Sequence, residues 1–176
     1  GLLRAQLGQR HYGYADVPYR LRPYAELVRD PKDTITFDHA AHHRALQRQA
    51  EVGADGAYVW SADGEVLRVT LLEKLLVPAL SKLSNLVVGG GIWLNTQRPE
   101  WNDANNALVG TGVSVVTLSY LRRYLAQLAQ LIPTAGQEAV SREVVAWLRE
   151  LSEILTQHQA CLAEPVVDDR TRRAVL

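Results

Sequence analysis

The sequence predicts a mainly α-helical protein with one small β-hairpin, and three patterns lead to this prediction. Apolar residues recur at intervals of three and four over two long segments, 113–132 and about 138–160, which is the spacing of one helix face. Two short runs of β-branched and aromatic residues, 58–60 and 65–69, flank the Asp-Gly turn at 61–64, as in a hairpin. No alternation of strands and helices occurs, so a parallel sheet is not expected.

Further helices are predicted in the first half of the chain. Residues 21–28 form a short candidate, and residues 37–52 form a longer one that is rich in His and Ala and closes at Gly53. The two long helices are joined by the short segment 133–136, which predicts an antiparallel helical hairpin.

A capping box marks the start of another helix. Thr70 and Glu73 stand three residues apart, so the threonine hydroxyl can accept from a free amide while the glutamate reaches back. Pro78 lies inside this helix and is expected to kink or divide it, because its ring clashes with the preceding turn and it lacks an amide donor.

The composition limits the class of protein and its partners. With 176 residues, 47% of them hydrophobic, and a formal net charge of zero, the chain has material for one sizeable core. The balanced charge offers no electrostatic reason to expect nucleic acid or an anionic membrane as a partner. No apolar run is long enough to span a bilayer, so no transmembrane helix is expected.

Cys161 is the single cysteine, so no intrachain disulfide can form. A buried, unreactive thiol is expected, which fits a reducing compartment and a cytoplasmic location. The chain has no methionine and begins at Gly1 as though within a helix. We therefore expect residues 1–176 to be part of a longer catalytic domain, truncated at both ends.

The segment 93–106 is predicted to bind carbohydrate. Indole faces pack against sugar rings, and amides exchange hydrogen bonds with hydroxyl groups. The candidate substrate-binding residues are Trp93, Asn95, Gln97, Arg98, Trp101, Asn102, Asn105 and Asn106. Such polar residues are also common in turns, where Asn and Asp bond to their own backbone, and this alternative stays open.

Asp103 is the candidate catalytic acid of this segment. The neighbouring Trp101 can partly desolvate the carboxyl and favour its protonated form. A protonated carboxyl is what a departing glycosidic oxygen requires. Glu100 is a second acid three residues away, too close to be assumed to act from the opposite side of a substrate, and is expected to support binding or to be solvated.

Glycines flank the segment on both sides. Gly110, Thr111 and Gly112 precede the predicted helix, where free amides and the positive helix end can hold an anion such as phosphate, with Thr111 and Gly112 as ligands. An ordinary glycine-containing turn is the alternative. The triplet 89–91 lacks the spacing of a dinucleotide fingerprint and is expected to let the backbone pass close to substrate or to Trp93.

No metal site is predicted. His39, His42 and His43 share one candidate helix, and the spacing of four between the first and last can ligate zinc. Position 40 is Ala, however, rather than the acid of a metalloprotease helix. A solvated or hydrogen-bonded histidine face is therefore favoured.

The turn Trp101-Asn102-Asp103, with Asn106, Gly110 and Gly112 after it and a leucine-rich helix opening at Ser114-Val115, resembles the cellobiose and chitobiose phosphorylase family. The resemblance covers about residues 91–128. It implies a fold that is part of an (α/α)6 toroid, built of antiparallel helical hairpins, and an inverting transfer of a glycosyl group.

The resemblance also implies roles and ligands. Asp103 corresponds to the general acid, the substrate is an oligosaccharide, and no cofactor is needed beyond inorganic phosphate as co-substrate. Ala104 stands where the family usually has Gly, and related helical-toroid glucosidases use water instead, so phosphorolysis and hydrolysis both stay open. The alternative from another class is a non-catalytic helical module that binds a glycan or a protein.

Overall fold

The computed structural model describes residues 2–95, 108–134 and 138–175. These residues are mainly helical with small antiparallel sheets, which confirms the predicted class. The helices are α1 (Leu2–Gln6), α2 (Tyr24–Leu27), α3 (His39–Val52), α4 (Leu71–Leu83), α5 (Val115–Leu131), α6 (Arg142–Gln157), α7 (Gln159–Leu162) and α8 (Asp169–Val175). The strands are β1 (Tyr19–Leu21), β2 (Ile35–Phe37), β3 (Leu86–Val87), β4 (Gly91–Trp93) and β5 (Val113–Ser114).

Two antiparallel sheets are formed by these strands. β1 pairs with β2, so that Tyr19 lies opposite Phe37. β3, β4 and β5 form the second sheet in that order, with Ile92 of β4 between Leu86 and Ser114. The second sheet carries the two ends of the segment predicted to bind carbohydrate.

The predicted hairpin about residues 61–64 is present as a short antiparallel ladder. Trp60 pairs with Val66, and the amide of Ser61 donates to the Glu65 carbonyl over 2.8 Å. Gly64 closes the turn with φ 80°, a conformation that costs glycine little because it has no Cβ.

The helix predicted at 21–28 is shorter than expected. Leu21 ends β1, and α2 begins only at Tyr24. The cause is Pro23, which disfavours a helical conformation of the preceding residue and instead offers its carbonyl to the amide of Glu26 over 2.9 Å.

The helix predicted at 37–52 begins at His39 and ends before Gly53 as expected. Phe37 belongs to β2, and Asp38 caps the helix by accepting from the Ala41 amide over 2.8 Å. This backbone hydrogen bond also holds the pKa of Asp38 below its usual range.

The two long predicted helices also begin later than their apolar patterns suggested. Val113 and Ser114 form β5, and the Ser114 hydroxyl accepts from the Thr117 amide over 3.0 Å as the cap of α5. α6 begins at Arg142 rather than near 138. Apolar periodicity locates the buried face of a helix, whereas the first residue is decided by the cap.

α4 is the central element of the core. Ala79 packs with Leu121 and Leu128 of α5 and with Ile92 of β4. The next residue, Leu80, packs with Val144 and Leu151 of α6 in a second cluster. The two long helices predicted to form a hairpin thus both pack their core residues against α4.

Pro78 does not divide α4, which continues from Leu71 to Leu83. Proline removes one intrahelical hydrogen bond and crowds the preceding turn. The residues that follow, Ala79 and Leu80, are 3% and 2% exposed, and their burial offsets this loss.

The predicted capping box is half present. Thr70 accepts from the Glu73 amide over 3.2 Å, as expected. The Glu73 side chain does not reach back to the Thr70 amide. Its carboxylate is 3% exposed and accepts from the Tyr14 hydroxyl (3.2 Å), the Ser141 amide (2.8 Å) and the Ser141 hydroxyl (2.6 Å).

Within the described ranges, no helix combines the length and the apolar character needed to cross a membrane. Cys161, predicted to be buried, is half-buried and packs beside Val88, Val167 and Val175, with its thiol donating to the His158 carbonyl.

Replacing Glu73 by Ala should destabilise the whole protein. The change leaves the half-buried Ser141 and Tyr14 donors without their acceptor, which costs about 3 kcal/mol of unfolding free energy. Urea unfolding of Glu73→Ala measures this cost, with Glu153→Ala on the exposed side of α6 as the control, expected to stay within about 0.5 kcal/mol of wild type. Equal losses in the two variants would contradict the role of Glu73.

Tyr14 should ionise at unusually high pH. Burial, then the charge of Glu73, then its hydrogen bond raise the pKa of Tyr14 from 10.0 to about 12. Because folding favours the neutral phenol, the resulting stabilisation is present below pH 10 and is lost as the pH rises towards 12. Absorbance titration should show that Tyr14→Phe removes a tyrosinate signal near pH 12, and that Glu73→Gln moves this signal towards pH 10. If the tyrosinate signal that Tyr14→Phe removes were centred at pH 10 instead, this assignment would be wrong.

Candidate functional site

The segment predicted to bind carbohydrate follows β4 and precedes β5 along the chain. The pairing of these strands continues beyond their ends, because the Leu94 amide donates to the Gly112 carbonyl (3.0 Å) and the Gly110 amide donates to the Leu94 carbonyl (2.7 Å). Residues 94 and 110–112 therefore form a fixed stem, to which residues 96–107 are attached.

Most of the predicted site residues lie outside the described residues. They are Gln97, Arg98, Glu100, Trp101, Asn102, Asp103, Asn105 and Asn106. The roles assigned to them from the sequence stay predictions, the general acid among them.

Trp93 is one of the two predicted sugar-binding residues that the structure describes. It is half-buried at the end of β4, and its indole N–H donates to the Gly110 carbonyl over 3.2 Å. Its backbone amide donates to the Asn85 carbonyl over 2.8 Å. The indole is thus held by its polar edge against the stem.

Asn95 is the other predicted sugar-binding residue that the structure describes, and its side chain is hydrogen-bonded within the protein. Its side-chain amide donates to the Asn85 side-chain oxygen over 2.9 Å. Asn85 in turn donates to the Ser81 carbonyl in the last turn of α4 over 2.7 Å. The amide pair joins the stem to the central helix, and no pattern in the sequence indicated it.

A cleft of about 410 Å³ opens beside Trp93, and we call it the Trp93 cleft. Its lining comes from α2 and the turn after it, β3, β4, the stem and α8. The lining residues are Leu27, Val28, Pro31, Val87, Trp93, Gly110 and Arg173. The walls are apolar apart from Arg173, and the volume lies in the usual range of small-molecule sites.

Arg173 is the residue of this cleft that the sequence did not identify. It lies on α8, far from Trp93 along the chain, in a segment without any motif. α8 is held in place by Arg172, whose Nε donates to the Val88 carbonyl over 3.0 Å and whose guanidinium pairs with Asp169 at 2.9 Å. The burial of Val175 against Val88 adds to this attachment.

The glycine triplet 89–91 serves the sheet rather than the indole. The Gly90 amide donates to the Val87 carbonyl over 2.9 Å, which closes the turn between β3 and β4. A Cβ on Gly91 would lie 3.0 Å from the Ser114 carbonyl carbon. The close approach predicted for the triplet is therefore made to β5.

The amides proposed for phosphate are already bonded. The Thr111 and Gly112 amides both donate to the Leu108 carbonyl, over 3.0 and 2.7 Å. The helix also begins at Val115 rather than Val113. The prediction assumed free amides at Thr111 and Gly112 beside a helix end, and this premise is wrong.

The histidine face of α3 contacts an aromatic ring. His39 and His42 lie edge-to-face with Phe37, with ring centroids 4.8 and 5.6 Å apart. In the part of the chain that the structure describes, no group of three or more His, Cys, Asp or Glu side chains has the geometry to hold a metal ion.

Comparison with known proteins adds no relative. No protein-family model matches this chain, and no curated protein matches it either. A function for it is therefore argued from its own residues, contacts and cleft.

Gly110 should tolerate alanine poorly. It has φ 76°, and a Cβ there would overlap the Pro31 carbonyl. Gly64 has a similar φ of 80° with nothing near its Cβ position, so Gly64→Ala costs the backbone strain of about 1–2 kcal/mol alone. Gly110→Ala should lose roughly a further 1–3 kcal/mol through the overlap.

Urea unfolding compares the two glycine variants directly. The Trp93 indole N–H signal in NMR should move in Gly110→Ala and stay in place in Gly64→Ala, because Gly110, unlike Gly64, accepts a hydrogen bond from that indole. Equal stability losses with an unmoved Trp93 signal would contradict the packing of Gly110 against Pro31.

Proposed function

We propose that this chain is part of a carbohydrate-active enzyme of the (α/α)6-toroid class, which cleaves a glycosidic bond with inversion. The observation that carries the proposal is the Trp93 cleft. An indole with its polar edge bound to Gly110 lies beside a cleft with mostly apolar walls, next to the stem of the segment that holds Asp103. An aromatic platform beside polar hydrogen-bonding groups suits the binding of sugar rings.

In this proposal Asp103 is the general acid. Its carboxyl proton passes to the glycosidic oxygen as the bond between that oxygen and the anomeric carbon breaks, which leaves a carboxylate on Asp103. A nucleophile attacks the anomeric carbon from the opposite face, so its configuration inverts. Trp101, Asn102, Asn106, Gln97 and Arg98 would bind the sugar, with Glu100 in support.

The nucleophile distinguishes the two reaction types. If it is inorganic phosphate, an oxygen of the phosphate forms the new bond and the product is a sugar 1-phosphate. If it is water, a second carboxylate must accept a proton from it, and the two carboxyl groups of an inverting hydrolase stand ~6.5–9.5 Å apart. The bonded amides of Thr111 and Gly112 give no support to phosphate at the stem.

The helical core is compatible with the proposed class. Long amphipathic helices packed in pairs are the units of a helical toroid, and α5 and α6 both pack on α4 in this way. The helices in the described part of the chain are too few for six hairpins, so the proposal includes completion of the toroid outside these 176 residues. The single half-buried thiol suits the cytoplasm as the proposed compartment.

A non-catalytic glycan-binding module is the second candidate, and one observation favours it. None of the described residues that line the Trp93 cleft is acidic. A cleft with an aromatic platform and a cation can bind a sugar without supplying a proton. The two candidates differ in what they require of Asp103.

Asp103→Asn should abolish turnover without unfolding the protein. Removing the proton donor is expected to lower turnover by ~10² to 10⁴-fold. The measurement is NMR that resolves the product anomers, made on the full-length protein with α- and β-linked oligosaccharides, with and without phosphate. Turnover that requires phosphate identifies a phosphorylase, and turnover without it identifies a hydrolase.

Asp63→Asn is the matched control, because Asp63 is an exposed acid in the hairpin turn and should keep full activity. Two results together would contradict the enzyme proposal: the wild type turns over no substrate, and Asp103→Asn binds glycans as tightly as the wild type. The binding module would then stand.

A further inference from the structure

We propose that a groove between α4 and α5 is a docking surface for an acidic amphipathic helix of a partner protein. We call it the α4–α5 groove, and its volume is about 570 Å³. Pro78 and Lys82 of α4 line one side, and Tyr120, Arg123 and Gln127 of α5 line the other. The groove shares no lining residue with the Trp93 cleft, so this proposal is independent of the proposed function.

The floor of the groove belongs to the hydrophobic core. Ala79 and Leu121 line it, are 3% and 6% exposed, and belong to the cluster that joins α4 to α5. Tyr124 also lines the groove, and its hydroxyl donates to the Leu75 carbonyl of α4 over 2.8 Å. The two helices are thus fixed to each other, so docking needs little ordering of the main chain, which favours affinity.

Large apolar side chains stand in water along the α5 side of the groove. Val116 and Tyr120 are four residues apart and so lie on one side of the helix, and they are 67% and 66% exposed. Val115 beside them is 61% exposed. Contiguous apolar side chains that border a groove are typical of interaction sites. A groove between two helices suits a third helix, whose side chains at intervals of three and four fit between the two.

The charges at the rim of the groove select an acidic partner. Lys82 and Arg123 are exposed and lie on opposite sides of the groove. α5 contains no acidic residue, and the one acid of α4, Glu73, is 3% exposed. Within the described part of the chain, no carboxylate forms an ion pair with Lys82, Arg122 or Arg123. Exposed cations at a rim speed the approach of an acidic partner and disfavour a basic one.

The same charges disfavour a second copy of this chain as the occupant. In a symmetric pair the same surface of each copy faces the other, so Arg122 and Arg123 would meet cations without any acid on either α5. Like charges that face each other across an interface oppose association. The occupant that suits the groove is a helix with an apolar side and with glutamate or aspartate on both flanks, one flank towards Lys82 and the other towards Arg123.

The test uses designed peptides and measures their binding to the full-length protein by fluorescence anisotropy. The acidic peptide is about four helical turns long, with leucine at intervals of three and four and glutamate on both flanks. One matched peptide has lysine in place of every glutamate, and another has the acidic peptide's composition in scrambled order. We expect the acidic peptide to bind about tenfold more tightly than either matched peptide. Added salt should narrow its advantage over the lysine peptide, because salt screens exposed charges.

Charge reversal at the rim should reverse the choice of peptide. Arg123→Glu is expected to weaken binding of the acidic peptide about tenfold and to strengthen binding of the lysine peptide. Arg149→Glu is the matched control, because Arg149 is an exposed arginine of α6 that does not line the groove. It changes the net charge equally and should leave both affinities unchanged. A variant that failed to fold would lose binding of both peptides, so the gain for the lysine peptide separates docking from stability.

Tyr120 tests the apolar part of the surface. Tyr120→Ala should weaken binding of the acidic peptide about tenfold, because exposed tyrosines that become buried in an interface often dominate its energy. Tyr120 is 66% exposed in the chain, so its removal should leave the urea unfolding curve unchanged. Bound acidic peptide should also protect Tyr120 from nitration by tetranitromethane, which mass spectrometry detects on that residue.

Several outcomes would overturn the proposal. Equal binding of the acidic and lysine peptides is one, and equal losses in Arg123→Glu and Arg149→Glu are another. Protection of Tyr120 from nitration in the full-length protein alone would show that the groove is already covered. Protection that grows with protein concentration would assign the groove to a second copy, and protection at every concentration would assign it to another segment of the same protein.

Discussion

The buried carboxylate of Glu73 holds three distant segments of the chain together. It lies in the first turn of α4, accepts from Tyr14 of the N-terminal segment and accepts twice from Ser141, which precedes α6. The Thr70 hydroxyl adds a fourth link, because it donates to the Ala139 carbonyl over 3.1 Å. A buried acceptor of this kind is costly unless its donors are all in place, so the position of α4 and the start of α6 depend on each other.

The candidate site is attached to the other end of the same helix. Ser81 in the last turn of α4 binds Asn85, and Asn85 binds both Trp93 and Asn95. Ile92 beside them is 1% exposed and packs in the cluster of Ala79 and α5. The indole that borders the cleft is therefore positioned from the core, while the opposite wall comes from the turn that contains Pro31.

The sequence could predict what depends on local pattern. Apolar spacing located the long helices, the Asp-Gly turn located the hairpin, and the aromatic and amide residues drew attention to Trp93. The pattern could not show that α5 and α6 both pack on α4, because apolar spacing shows which face of a helix is buried but not which element packs against it. The proximity of Arg173 to Trp93 depends on long-range packing and leaves no local signal.

Two expectations failed for a common physical reason. Glu73 was expected to bond within its own helix, and the Thr111 and Gly112 amides were expected to be free. In both cases the polar group already has a partner: Ser141, which tertiary structure brings close to Glu73, and the Leu108 carbonyl, which lies in the same local turn as the two amides. Buried and half-buried polar groups are nearly always bonded, so a group that is unpaired in the local sequence is a weak indication of a ligand site.

Consecutive residues of α4 face two different clusters, Ala79 towards α5 and Leu80 towards α6. Detaching either long helix would bring an apolar side of α4 into water, at a cost that the other cluster cannot recover. The two clusters therefore gain and lose their order together, through the helix that they share. This coupling makes α4 a source of folding cooperativity, and among the described residues we expect slow amide hydrogen exchange in the turn between Leu76 and Leu80.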